Sequence, residues 1–180
     1  HLRRVGAFMA RLHAHTQRWS PPADFARPTF DTLPWVAAWL EVGAVDPDKD
    51  FIGPADRALL DRGAALIRDQ IAALGTTPDR FGLIHTDLHH GNYLFRKGEV
   101  CAIDFDDSGF EHYVYDPAVT LWALRRHPQY AALRAALLEG YAAERPLPID
   151  TDTHLDTFIV ARDLIVTNYA NPDMVGHTGD

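Results

Sequence analysis

The chain has 180 residues, 47% hydrophobic and 23% charged, enough for one sizeable globular core. Its net charge of −8 and pI near 5.6 argue against general nucleic-acid binding, and no apolar run reaches the length of a membrane span. The first residues lack a signal-peptide core, and the single cysteine, Cys101, excludes an internal disulfide and fits a reducing cytoplasm.

Val5, Phe8, Met9 and Leu12 recur at helical spacing, which predicts an amphipathic helix from His1 to about Arg18, ended by Ser20-Pro21-Pro22. His13 and His15 stand two apart, on different faces, and make a poor metal pair. Residues 20–34 read as a Pro- and aromatic-rich loop packed on the domain. Leu33 to about Val42 reads as a short helix with Trp35 and Trp39 on one face, suited to core packing rather than base stacking. Asp46 to Asp50 is a polar turn. Pro54 to about Leu74 is a helix with Leu59, Leu60, Ala64, Ile67, Ile71 and Leu74 on its apolar stripe, ended by Gly75-Thr-Thr-Pro78.

The run Phe81-Gly-Leu-Ile-His85-Thr-Asp87-Leu-His89-His-Gly91-Asn92 follows. After it, the apolar stretches Tyr93–Phe95 and Val100–Ile103 flank Arg96-Lys97-Gly98, which predicts a β-hairpin. Asn92 lies six residues before Gly98 and Asp104 six after it, so the hairpin brings both to its open end. Two oxygen-bearing side chains there form a candidate Mg²⁺ site, and Asp87, in the loop entering the first strand, reaches the same region as a candidate base. Phosphoryl transfer from a nucleotide requires such a set. Gly91 lets the loop turn sharply, and His85 is expected to brace it through backbone hydrogen bonds rather than to catalyse. Cys101, in the second hairpin strand, is expected as a small buried residue.

Beyond the hairpin, Asp106 to Asp116 reads as an acidic loop. Helices are predicted from Asp116 to Arg126, from Pro128 to about Ala143 and from Thr153 to about Tyr169, with a break at Pro146-Leu-Pro148. The expected fold class is α+β, mostly α, with helices around a central hairpin.

Three motifs carry a family resemblance. His85-Thr-Asp87-Leu-His89-His-Gly91-Asn92 resembles the H-G-D-x-H-x-x-N loop of the aminoglycoside phosphotransferase and choline kinase family. Ile103-Asp104-Phe105-Asp106-Asp107 resembles that family's counterpart of the protein-kinase DFG run, and Tyr115-Asp116-Pro117-Ala118 resembles its following D-L-A helix start. Leu12-His13 resembles the L-H ending of a helix in the same group. Thr86 departs from the usual Gly, His90 from a common Pro, and Pro117 from Leu. None of these removes a reacting group.

The resemblance implies that Asp87 is the catalytic base, that Asn92 and Asp104 hold Mg²⁺, and that Asp116 braces the catalytic loop, at a position that also suits a helix N-cap. Asp106 would add a second-shell or second-metal contact, and Asp107 and Glu111 would line the acceptor side and bind an amine. The expected activity is ATP-dependent transfer to a hydroxyl of a small molecule such as an aminoglycoside, choline, homoserine or another amino acid. The acidic surface could favour a cationic acceptor, although most of that charge is expected to form a solvated face. The expected domain is the C-terminal, acceptor-binding lobe of a protein-kinase-like fold spanning residues 1–180. A chain that starts at His1 inside a helix and carries no glycine-rich hairpin or lysine strand is expected to be a fragment without the nucleotide-clamping lobe, inactive by itself.

Two other readings stay open. A metal-dependent hydrolase would use His85, Asp87, His89 and His90, although the dinuclear H-x-H-x-D-H pattern is not matched and Asn92 and Asp104 would have no role. A non-catalytic binding lobe is the third, against which stand the intact Asp87, Asn92 and Asp104.

Overall fold

The structure, a computed structural model, describes residues 1–30, 53–147 and 151–169. The element order is α1 (Leu2–Arg18), α2 (Pro54–Leu74), β1 (Phe81–Ile84), β2 (Tyr93–Arg96), β3 (Glu99–Ala102), β4 (Gly109–His112), α3 (Tyr115–Leu124), α4 (Tyr130–Ala142) and α5 (Thr151–Tyr169). The mostly helical α+β class is the one expected. The chain divides into two compact units: His1–Phe30 with Thr76–Ile159, and Asp31–Gly75 with Val160–Asp180.

In the first unit α1 buries Val5 and Met9 of its predicted face together with Ala10 and His13, leaves Phe8 and Leu12 half-buried, and ends at Trp19, whose backbone is extended. It packs on α4 at backbone range. A Cβ on Gly6 would overlap the Leu137 carbonyl oxygen, and one on Gly140 would overlap that of Arg3. Glycine is the residue that permits such an approach. The core beneath holds Leu121, Leu137, Tyr141, Leu155 and Phe158, all buried.

Two antiparallel pairs carry the loops of interest. The predicted hairpin pairs β2 with β3, with Tyr93 opposite Ala102 and Arg96 opposite Glu99. Its two-residue turn has φ of 51° at Lys97 and 88° at Gly98, the positive values a type I′ turn needs. Period-two alternation buries Val100 and exposes Cys101, so the expectation of a buried thiol is corrected.

The second pair, β1 with β4, was not predicted: Phe81 faces His112 and Ile84 faces Gly109. Residues 81–84 read as part of the catalytic loop and 109–112 as part of the acidic loop. Strands of four residues show no usable period, and each finds its partner only across the intervening hairpin. Pro28–Phe30 run beside β4, with Phe30 N donating to Phe110 O (2.8 Å) and Phe110 N to Pro28 O (2.9 Å).

In the second unit α2 buries Ala64, Ile67 and Ile71, as its stripe predicts, while Leu59 is 60% exposed. The predicted helix with Trp35 and Trp39 and the turn at Asp46–Asp50 lie outside the described residues. Among the described residues no helix is long and apolar enough to cross a membrane.

Candidate active site

The loop from His85 to Asn92 leaves β1 and enters β2 through a short 3₁₀ turn at His90–Asn92. Leu88, fully buried, anchors it from below. The Tyr93 and Thr120 hydroxyls both donate to the Leu88 carbonyl oxygen, at 2.7 and 2.5 Å, tying the loop to α3. Burial raises the Tyr93 pKa, so its hydroxyl stays a donor.

Asp87 and Asn92 come together. The Asn92 amide nitrogen donates to the Asp87 carbonyl oxygen (2.9 Å) and stands 3.4 Å from the carboxylate Oδ2. With its nitrogen turned to Asp87, the amide presents Oδ1 the other way. Ile103 N donates to Asn92 O (3.1 Å), which extends the β2–β3 ladder and seats Asp104 one residue past Asn92's partner. The hairpin therefore returns Asp104 to the loop, as the residue spacing predicts. Asp104, Asp106 and Asp107 are exposed. Asp104 holds a left-handed φ of 65°, uncommon for a residue with a Cβ. Hard oxygen donors from Asn92 and Asp104 suit a divalent cation that completes its shell with water and phosphate oxygens.

Asp106 takes part through its backbone, its carbonyl accepting from Arg27 Nη1 (2.8 Å). Glu111 departs from its expected place on the acceptor side. It is fully buried on β4, and its Oε1 accepts from the His112 backbone N and Nδ1, both at 2.6 Å. Both faces of β4 are covered at this point, since the adjacent His112 is fully buried as well, and the sequence carried no sign of that strand.

His85 is a brace, as expected. Its Nε2–H donates to Ile103 O (2.9 Å) and its Nδ1 accepts from Asp87 N (3.4 Å), with the ring fully buried. Both ring nitrogens are committed, so His85 cannot join a metal cluster with Asp87, His89 and His90. Among the described residues no group of three His, Cys, Asp or Glu could hold a metal ion. The hydrolase alternative loses its ligand set.

Asp116 does not cap its helix. Val114 is the N-cap, and Asp116 lies in the first turn with its side chain turned to the loop. The carboxylate, fully buried, accepts from Thr86 N (2.8 Å), His85 N (3.2 Å) and His13 Nε2 (3.0 Å). His13 Nδ1 in turn accepts from the Tyr141 hydroxyl (2.9 Å), which accepts from Arg145 Nη1 (3.1 Å). The chain of donors runs from Arg145 inward and ends on the carboxylate. The sequence signal for His13 was its place on the apolar face of α1, where a buried imidazole needs partners. Thr86 completes the brace, its hydroxyl donating to Asp107 O (2.7 Å) while its φ is 68°. Glycine takes that backbone state freely, and threonine holds it only against strain.

The chain is similar to known proteins over most of its length. The model of the phosphotransferase enzyme family matches residues 1–149. Amicoumacin kinase of Bacillus subtilis (strain 168) is 33% identical over 75 residues, 42% of this chain and 22% of that protein. The microcompartment-associated aminopropanol kinase superposes with a TM-score of 0.78 at 29% identity, over 99% of this chain and 55% of that one. Amicoumacin kinase hAmiN, in complex with AMP-PNP, Ca²⁺ and Ami, superposes with a TM-score of 0.78 at 21% identity, over 99% of this chain and 53% of that one. The chain spans about half the length of these solved structures. Fold, motif order and family match agree: the chain belongs to the phosphotransferase enzyme family.

Proposed function

We propose that the 180 residues form the catalytic and acceptor-binding lobe of an ATP-dependent kinase acting on a hydroxyl of a small, amine-bearing molecule. The observation that carries this is the convergence of Asp87, Asn92 and Asp104 at the open end of one hairpin. Asp87 orients the acceptor hydroxyl and takes its proton as the oxygen bonds to the γ-phosphorus and the bond to the β-phosphate oxygen breaks, releasing ADP. A loose transition state asks for position more than for basicity. Asn92 and Asp104 would hold Mg²⁺, with Asp106 beside them, and Mg²⁺ would neutralise charge on the phosphates. The AMP-PNP and Ca²⁺ in the hAmiN complex support a nucleotide and a divalent metal. The amine class of the acceptor is supported by the aminopropanol kinase likeness. A cytoplasmic setting suits the lone, exposed thiol of Cys101.

The test is Asp87→Ala in the full-length protein, assayed for ATP consumption with a panel of amino alcohols, amino sugars and choline. Transfer is lost while nucleotide binding stays within about twofold. Normal turnover by the variant refutes the assignment.

A further inference from the structure

His89 is the loop residue that the mechanism so far leaves unused, and its surroundings are specific. Gly91 N donates to its Nδ1 at 3.0 Å. A neutral imidazole that accepts at Nδ1 carries its proton on Nε2. That Nε2 stands 3.6 Å from Asp87 Oδ2, an electrostatic contact rather than a formed hydrogen bond. The ring lies against Gly91, where a Cβ would come within 2.8 Å of His89 Cε1 and 3.0 Å of Nδ1. Gly91 is not among the residues of positive φ, so the glycine there makes room for the ring rather than for an unusual backbone.

The geometry points to His89 as a positioning residue for the Asp87 carboxylate, a reading that rests on Asp87 being the base. Oδ2 is approached by two side-chain N–H groups, that of Asn92 at 3.4 Å and that of His89 at 3.6 Å. Donors on one oxygen select the carboxylate's rotation and turn the other oxygen, Oδ1, towards an acceptor hydroxyl. The tautomer also decides what His89 does not do. With its proton on Nε2 and its Nδ1 lone pair taken by Gly91 N–H, the neutral ring cannot receive the proton that Asp87 accepts. It orients the base and is not a relay.

His89→Asn separates this role from a structural one, because its side-chain oxygen can still accept from Gly91 N–H while the donor aimed at Asp87 is gone. In the full-length protein kcat falls about tenfold, the order seen when an orienting partner is lost. KM for ATP is unchanged, and thermal stability is retained. Gly91→Ala, which displaces the ring, lowers kcat in the same way, and the double variant is no slower than His89→Asn alone. Wild-type kcat in His89→Asn, or losses that multiply in the double variant, would overturn the proposal. Asp87→Ala in the same series keeps the two readings apart: if that variant turns over normally the base assignment has failed. Independently of turnover, long-range ¹H–¹⁵N spectra of the chain at neutral pH report the His89 tautomer. A proton on Nε2 supports the proposal, and one on Nδ1 sinks it.

Discussion

Asp116→Ala would test how the loop from His85 to Asn92 is held. The carboxylate accepts three buried N–H groups, those of Thr86, His85 and His13. Truncation strands all three, and a buried donor without a partner costs about 1–3 kcal/mol. Taking the low end for each gives roughly 3 kcal/mol. Against this, Thr86 is held at φ 68° by this same bond and by its own hydroxyl. Releasing the backbone returns roughly 1 kcal/mol of strain. The expected net loss is about 2 kcal/mol, a large share of a domain's stability. Urea unfolding followed by circular dichroism measures it. The strain component is read separately: Thr86→Gly relieves less in the Asp116→Ala background than in the wild type, since the variant has already relaxed. A loss below about 1 kcal/mol, or equal effects of Thr86→Gly in both backgrounds, would refute the account of the brace.

Gly6→Ala places a methyl on the Leu137 carbonyl and forces α1 off α4. It is expected to destabilise by about 3 kcal/mol, at the upper end for overpacking. Gly63→Ala, a helical position of α2 with nothing within 4 Å of its Cβ, is expected to stabilise by about 0.5–1 kcal/mol, so paired thermal melts decide whether the effect is steric. Burial pushes the Tyr141 hydroxyl up to about 12 despite the lowering effect of Arg145, and Tyr93 is raised by burial as well. A raised folded pKa means stability that is full below the ordinary value of 10.0 and declines as pH climbs from there through the folded value. Tyrosinate absorbance in an alkaline titration should therefore show Tyr141 and Tyr93 ionising last, with their signal lost from the late phase in Phe variants. Ordinary tyrosine titration of either residue would contradict their burial.

What was legible in the chain follows from periods and spacings. Helices α1 and α2 show a face that repeats over several turns, so their existence and their ends near Arg18 and Gly75 could be read directly. The hairpin was legible because Lys97-Gly98 specifies a turn, and a turn fixes register. Once the register is known, the meeting of Asn92 with Asp104 is arithmetic. The motifs named the family for the same reason, since they are local strings.

Contacts between distant segments were not legible. Strands β1 and β4 are too short to announce themselves, and with them the burial of Glu111 went unseen. The same holds for Asp116, whose local position suggested a helix cap. Its partners His13 and Thr86 come from α1 and from the end of β1, and only packing brings them to one carboxylate. Sequence alone thus determined which residues could do the chemistry and the turn that gathers them. The tertiary structure decided how they are held, because a buried polar group takes its role from whichever donors close packing places around it.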